Sequence, residues 1–291
     1  FRDTQMSLYA DTYFSAPDGL RLYYRDYDRA AAGLTPVLCL PGLTRNARDF
    51  DAIAAHLSAS RRVIAPDMRG RGRSAYDPNW QNYSIPVETG DVLALAAALG
   101  LEKVAIIGTS RGGLIASVIA AMKPALLKGV VLNDVGPELD PRGIARITAY
   151  VGRQDATPPD WTAAMEGLKT VNDGHYEMDD AQWMSVTRAI FRDENGKPVL
   201  DYDPKIGDAT RASMAQPQTF DPWMLFKAFA PIPLLVIRGA NSDVLSAETV
   251  AKMREAKPDM RYAEIPKRGH APLLDEPESI AAIDAFLAEL G

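Results

Sequence analysis

Short apolar-rich runs alternate with amphipathic stretches along most of this 291-residue chain. Continuous apolar runs predict strands buried on both faces of a sheet, whereas apolar residues three or four positions apart predict helices with one buried face. The predicted strands are 37–40, 62–67, 104–107, 129–134, 233–239 and 261–265. The predicted helices include 50–57, 86–99, 111–121, 246–256 and 277–290. This alternation predicts an α/β fold, with a mostly parallel, doubly wound sheet covered by helices on both faces.

A hairpin is predicted before this alternation begins. Two aromatic-rich runs, 12–15 and 20–27, lie on either side of Asp18-Gly19. Asp-Gly between alternating strands is a strong signal for a tight β-turn. The chain is therefore expected to open with two antiparallel strands.

The alternation of strands and helices stops near Gly136 and resumes at Pro233. The intervening segment has helical patterns at 142–151, 161–171 and 180–191, and it holds three of the four tryptophans. It is too long for a loop and shows no sheet pattern, so it predicts an inserted helical subdomain. The expected division is a core of 1–136 and 225–291 with a helical cap of 137–224.

Composition narrows the class of partner. With 47% hydrophobic residues the chain can bury a large core, and its net charge of −6 argues against nucleic acid or an anionic membrane as partner. No apolar run approaches the roughly 18 residues of a membrane span. Cys39 is the only cysteine, which excludes an intramolecular disulfide, and residues 1–5 lack a signal-peptide pattern. A cytoplasmic protein with a small-molecule substrate is the expectation.

The strongest chemical signal is Gly108-x-Ser110-x-Gly112, at a predicted strand-to-helix junction. A serine at the apex of so sharp a turn needs small neighbours that let strand and helix approach each other. The N-terminus of the following helix points at the serine, where its partial positive charge favours a developing oxyanion. Ser110 is therefore predicted to be a nucleophile. A serine that merely caps the helix would leave both glycines without a purpose.

A serine nucleophile needs a base, and the chain has only three histidines. His56 lies in an amphipathic helix and His175 in a turn of the insertion, where structural or solvated roles are expected. His270 follows the last predicted strand, at the sheet edge where Ser110 also lies, and is the predicted base.

Two carboxylates compete to orient this base. Asp243 follows strand 233–239 and gives the usual chain order of nucleophile, acid and base, so it is the predicted acid. Asp134, at the end of strand 129–134, is the alternative. If Asp243 is the acid, Asp134 is expected to bond backbone where the insertion begins.

Together these motifs resemble the α/β-hydrolase superfamily, specifically its capped serine esterases and lactonases. The resemblance runs from about Tyr13 to the C-terminus and follows the family's order. It rests on Pro41-Gly42-Leu43, 67–74, 108–113, 239–243 and Gly269-His270. Such a resemblance is specific for the fold and says little about the substrate.

The resemblance also implies binding residues. The oxyanion hole would consist of the backbone N–H groups of Leu43 and Arg111, and no metal or organic cofactor is implied. Arg45 after the oxyanion loop, with Trp161 and Trp183 of the insertion, are candidate substrate contacts. Alternatively, the two tryptophans pack the insertion against the core. The Arg111 side chain is expected either to bond the cap or to recognise a substrate carboxylate.

The predicted activity is hydrolysis of carboxylic esters, including lactones or polyesters, through an acyl-enzyme intermediate. A carbon–carbon bond hydrolase shares the same triad and is one alternative. A ligand receptor on a hydrolase scaffold is another, which fast multiple turnover would reject. A non-catalytic interaction protein is a third alternative, and its binding function would be unaffected by Ser110→Ala.

Overall fold

The computed structural model describes residues 8–28, 33–153, 157–216 and 221–291. Outside these ranges lie residues 1–5, which lack a signal-peptide pattern, and parts of the predicted insertion. The strands are β1 Ala10–Ser15, β2 Arg21–Tyr27, β3 Val37–Leu40, β4 Val63–Pro66, β5 Val104–Thr109, β6 Leu127–Asn133, β7 Phe191–Glu194, β8 Lys197–Leu200, β9 Leu234–Gly239 and β10 Arg261–Ile265. The helices are α1 Asp51–Leu57, α2 Ile85–Ala98, α3 Arg111–Met122, α4 Pro141–Tyr150, α5 Trp161–Val171, α6 Asp180–Ile190, α7 Lys205–Ala215, α8 Pro222–Lys227, α9 Ala247–Ala256 and α10 Pro277–Ala288.

Eight strands form the central sheet, in the order β1-β2-β4-β3-β5-β6-β9-β10. The pairs β1–β2 and β2–β4 are antiparallel, and every other neighbouring pair is parallel. The predicted mostly parallel α/β sheet and the hairpin around Asp18-Gly19 are therefore confirmed. Strand order reverses at β3 and β5, and in open α/β sheets ligands bind beyond the carboxyl ends of the strands at such a point.

Alternate residues of each buried strand enter different hydrophobic layers. In β3, Leu38 and Leu40 join the layer that contains α2, α3 and α9, whereas Val37 and Cys39 join the layer that contains α1 and α10. All four side chains are fully buried. The twofold period of a strand thus explains why its sequence is a continuous apolar run, because both of its faces are covered.

The segment between β6 and β9 is mainly helical, as the sequence predicts, and carries α4 to α8. It also contains the hairpin of β7 and β8, which the sequence pattern does not predict. The turn of this hairpin is Asn195-Gly196, with both residues at positive φ. Two strands of four residues with Pro198 inside give too short a pattern to be recognised as sheet.

Ion pairs attach this segment to the rest of the chain. Arg48, just before α1, donates to Asp201 at 2.6 Å, and Arg146 of α4 forms a bidentate ion pair with Asp243. A large cavity lies between the segment and the carboxyl edge of the sheet. In the parts of the chain that are described, no helix is both long and apolar enough to cross a bilayer.

Candidate active site

Ser110 lies in the turn between β5 and α3, with φ at +50°. A side chain rarely adopts this backbone conformation, and such strain tends to occur at functional sites. The flanking glycines are required by contact distance. A Cβ on Gly112 would lie 2.1 Å from the carbonyl oxygen of Leu40, and a Cβ on Gly108 would lie 2.7 Å from the backbone of Gly112. The turn therefore holds the Ser110 hydroxyl at the carboxyl edge of the sheet.

The imidazole of His270 lies between Ser110 and Asp134. Its Nε2 is 2.9 Å from Ser110 Oγ, and its Nδ1 is 2.7 Å from Asp134 Oδ2. The side chain of His270 is 8% exposed and that of Asp134 is fully buried. A carboxylate beside Nδ1 keeps the proton on that nitrogen, which leaves Nε2 free to accept the serine proton. Ser110, His270 and Asp134 thus form one continuous chain of hydrogen bonds.

The predicted contact between Asp243 and His270 is wrong, because Asp134 takes this place. Asp134 follows β6 with φ at +57°, which turns its side chain away from the strand direction. Its Oδ1 accepts from the Gly239 N–H at 2.8 Å, and its Oδ2 also accepts from the Ser242 hydroxyl at 2.5 Å. The carboxylate is therefore held by two donors besides the imidazole.

Asp243 instead faces the insertion. Both of its oxygens accept from the guanidinium of Arg146, at 2.7 and 2.9 Å. Burial alone would raise the pKa of Asp243, but the bonds from Arg146 and the nearby His175 hold it below its usual value. Asp243 is therefore an ionised partner of α4. Of the two aspartates that follow neighbouring strands, only Asp134 is hydrogen-bonded to His270.

The other two histidines lie elsewhere. His56 pairs with Asp284 on the surface, in agreement with the expected structural role. His175 is 3.8 Å from Asp243 and has Nδ1 3.1 Å from the carbonyl oxygen of Asn241, so it is packed rather than solvated. The packing is close, because a Cβ on Gly269 would lie 2.7 Å from the Cβ of His175.

Two backbone amides near the serine are available to a ligand. In the part of the chain that is described, the N–H groups of Leu43 and Arg111 donate to no protein acceptor. Arg111 is the first residue of α3, whose opening amides have no carbonyl one turn earlier. The loop after β3 is also close to the serine, because a Cβ on Gly42 would lie 3.9 Å from that of Ser110.

The side chain of Arg111 turns into the core. Its Nε donates to Glu88 of α2 at 2.5 Å, and its Nη2 donates to the carbonyl oxygen of Tyr83 at 3.1 Å. Neither of the two roles considered for this side chain, contact with the cap or with a substrate carboxylate, matches these bonds. Glu88 is far away in sequence, so the pattern around the serine gave no sign of the pair.

The cavity at the site has a volume of about 900 Å³. Residues from the sheet edge and from the insertion line it, including Leu43, Ser110, Leu168, Tyr176, Trp183 and His270. Trp183 is 6% exposed and meets the ring of Tyr176 edge-on at 5.8 Å. The Tyr176 hydroxyl donates to the carbonyl oxygen of Ala271 at 3.1 Å, next to His270. Nothing in the sequence pattern of 172–178 had marked Tyr176.

Two of the three predicted substrate contacts, Arg45 and Trp183, line this cavity, and Trp161 does not. The ring of Trp161 instead packs under the guanidinium of Arg188, with 4.5 Å between them. Arg45 donates through Nε and Nη2 to Asp49 at 2.7 and 2.5 Å. Among the described residues, its Nη1 has no hydrogen-bond partner.

Comparisons with known proteins agree with this geometry. The family model described as alpha/beta hydrolase fold matches residues 35–277. The chain belongs to the alpha/beta hydrolase family. A 3-hydroxybutyrate-oligomer hydrolase of Cupriavidus necator is 35% identical over 93% of this chain and 94% of its own length. A 2-(acetamidomethylene)succinate hydrolase of Mesorhizobium japonicum is 26% identical, over 86% and 87%.

Solved structures of this family superpose closely. An alpha/beta hydrolase from Novosphingobium aromaticivorans has a TM-score of 0.91 and 44% identity, with 97% of this chain and 99% of that one covered. The alpha/beta hydrolase fold is thus established for nearly the whole chain, and the chain belongs to a family of hydrolases.

Proposed function

We propose that this hydrolase cleaves carboxylic esters through an acyl-enzyme intermediate on Ser110. The observation that supports this most directly is the chain of hydrogen bonds from Ser110 through His270 to a buried carboxylate, at the edge of a large cavity. A serine hydroxyl is a weak nucleophile at neutral pH, and this arrangement is the one that activates it.

In the first half of the reaction, Ser110 Oγ attacks the ester carbonyl carbon while its proton passes to His270 Nε2. The carbonyl oxygen becomes an oxyanion in the tetrahedral intermediate. As the intermediate collapses, the bond to the alcohol oxygen breaks and His270 returns the proton to that oxygen. The alcohol leaves, and the acyl group stays on Ser110.

In the second half, water takes the place of the alcohol. His270 removes a proton from the water as its oxygen attacks the acyl carbon, and then returns the proton to Ser110 Oγ as the acyl bond breaks. The acid product leaves and the enzyme is restored. Asp134 keeps the imidazole in the required tautomer and stabilises it while it carries both protons.

The amides of Leu43 and Arg111 are the proposed donors to the oxyanion. Donors that are already in place stabilise the charge without any rearrangement during the reaction, and loss of one such donor costs about 3 kcal/mol in related cases. Their lack of other acceptors among the described residues supports this role.

For the substrate we propose short oligoesters of hydroxy acids. The long alignment with the Cupriavidus relative supports this class, and so does a cavity that combines apolar walls with a guanidinium. Trp183 would pack on the apolar part of the acyl chain. The free Nη1 of Arg45 would bond a polar group such as a chain-end carboxylate, since guanidinium groups bind carboxylates well.

The segment 137–224 is proposed to act as a cap over the site, with 1–136 and 225–291 as the core. The cavity walls contributed by this segment support the assignment. A cytoplasmic location stays a prediction of the sequence.

The test is a comparison of kcat/KM on the 3-hydroxybutyrate dimer and trimer and on p-nitrophenyl esters of increasing acyl length. Ser110→Ala is the control variant. We expect multiple turnover of the esters by the wild-type protein and its loss in the variant. The acyl length that gives the highest kcat/KM would report the size of the acyl pocket.

Two results would contradict the proposal. Ester turnover that survives Ser110→Ala would exclude Ser110 as the nucleophile. Turnover of no ester would exclude ester hydrolysis and leave hydrolysis of another bond or a receptor role. The substrate named for the Mesorhizobium relative enters the same panel, because that similarity makes its hydrolysis the second candidate function.

A further inference from the structure

A buried carboxylate lies behind the site and is bonded to two arginines. Glu88 of α2 is fully buried, and its Oε1 accepts from Arg71 Nη1 at 2.6 Å. Its Oε2 accepts from Arg111 Nε at 2.5 Å. Burial opposes the charge on Glu88, but the two guanidinium groups hold its pKa below the usual value. The carboxylate is therefore ionised between two cations.

Each arginine is connected to one of the two proposed oxyanion donors. Arg111 carries one of these amides on its own backbone. Arg71 is also fully buried, and its Nε donates to the carbonyl oxygen of Leu43 at 2.8 Å. This bond fixes the backbone of Leu43, the residue that carries the other amide. One carboxylate thus connects the loop after β3 with the first turn of α3.

We propose that Glu88 is a positioning residue that holds both oxyanion donors in place through these two arginines. The inference rests on the proposed function. Donors of this kind act through preorganisation, and a small displacement weakens the bond to the oxyanion more than the binding of the neutral ester. Loss of Glu88 should therefore lower kcat and leave KM nearly unchanged.

Asp91 provides a matched control on the same helix. It lies three residues after Glu88, is 2% exposed and accepts from Arg69 Nε and Nη2 at 2.7 and 2.6 Å. Arg69 has two further aspartate partners, and its side chain makes no bond to Arg71, Leu43 or Arg111. Its backbone carbonyl oxygen accepts from Arg71 Nη1 at 2.6 Å, a bond that Asp91→Asn does not remove. Asp91→Asn thus weakens a comparable buried ion pair in the same region without touching either donor.

The experiment compares wild-type protein, Glu88→Gln and Asp91→Asn. It measures kcat and KM on one p-nitrophenyl ester, and Ki for the trifluoromethyl ketone with the same acyl chain. The ketone adds Ser110 Oγ to form a hemiketal whose oxygen occupies the oxyanion site. We expect Glu88→Gln to lower kcat by about ten- to hundredfold and to raise Ki by a similar factor, since removal of a whole donor costs more. KM should change less than about threefold, and Asp91→Asn should leave kcat and Ki near their wild-type values.

Arg71→Lys is a second variant, which keeps the positive charge beside Glu88 if Glu88→Gln does not fold. A lysine cannot bond Glu88 and the Leu43 carbonyl together through a fixed fork, so the same loss of kcat with a matching rise of Ki is expected. Equal effects of Glu88→Gln and Asp91→Asn, or a Ki that stays constant while kcat falls, would overturn the inference. Failure of the proposed function is distinguishable, because wild-type protein would then neither hydrolyse the ester nor form the hemiketal.

Discussion

Replacement of Asp134 by asparagine would change which ring nitrogen of His270 carries the proton. Gly239 N–H holds one side-chain oxygen of Asp134, so the amide nitrogen of an asparagine would face His270 Nδ1. An amide N–H donates to this nitrogen and drives the imidazole proton to Nε2. That nitrogen then donates to Ser110 instead of accepting its proton, and the base is lost.

The expected loss follows from this change of tautomer. The equivalent substitution in a serine protease lowers kcat by about 10⁴, which corresponds to roughly 5.5 kcal/mol of transition-state stabilisation. For Asp134→Asn we expect a fall in kcat of about 10³ to 10⁴. Asp243→Asn weakens the contacts with Arg146 and His175 and leaves the bonds of His270 in place, so its kcat should remain within about tenfold of wild type.

The assay is steady-state hydrolysis of a p-nitrophenyl ester by both variants, with thermal unfolding as a control for folding. A nearly inactive but folded Asp134→Asn beside an active Asp243→Asn is the expected result. The opposite ranking, with Asp243→Asn lower by 10³ and Asp134→Asn near wild type, would refute the reasoning and return the acid to Asp243.

Two further predictions concern stability. Gly112→Ala should destabilise the fold by about 3 kcal/mol or more, because its Cβ meets the Leu40 carbonyl oxygen, whereas Gly90→Ala should stabilise it by about 0.5–1 kcal/mol, because nothing lies within 4 Å in that helix. Denaturant unfolding measures the free energy of unfolding of both variants, and equal changes in Gly112→Ala and Gly90→Ala would contradict the packing argument. Burial raises the pKa of Asp67 from 3.8 to about 6, so the folded state holds this proton more tightly than the unfolded state does. The resulting stability is fully present below pH 3.8 and is lost as the pH rises through 6. The stability deficit of Asp67→Asn relative to wild type should therefore shrink by about 2 kcal/mol between pH 4 and pH 7. A deficit that is constant across this pH range would refute the prediction.

The fold and two members of the hydrogen-bonded chain could be predicted because their signals are local. The apolar run before Ser110 and the small residues after it specify strand, turn and helix within one stretch of chain. His270 could be found because only three histidines compete and the other two lie in a helix and in the insertion. Local pattern and elimination were sufficient for both residues.

The partner of the base could not be predicted in this way. Asp134 and Asp243 follow the paired strands β6 and β9, so both reach the same edge of the sheet. The positive φ of Asp134 and the capture of Asp243 by Arg146, almost 100 residues earlier, decide between them. Neither feature has a sequence signal. The pairing of Arg111 with Glu88 was missed for the same reason.

The proposed mechanism requires that Ser110 carries the acyl group, and rapid-quench kinetics combined with mass spectrometry would detect this intermediate. Wild-type protein mixed with excess p-nitrophenyl ester and quenched in acid should carry one acyl group on the peptide that contains Ser110. Ser110→Ala should carry none. Turnover by wild-type protein with no acyl group on that peptide, under conditions where deacylation limits the rate, would exclude an acyl-enzyme on Ser110.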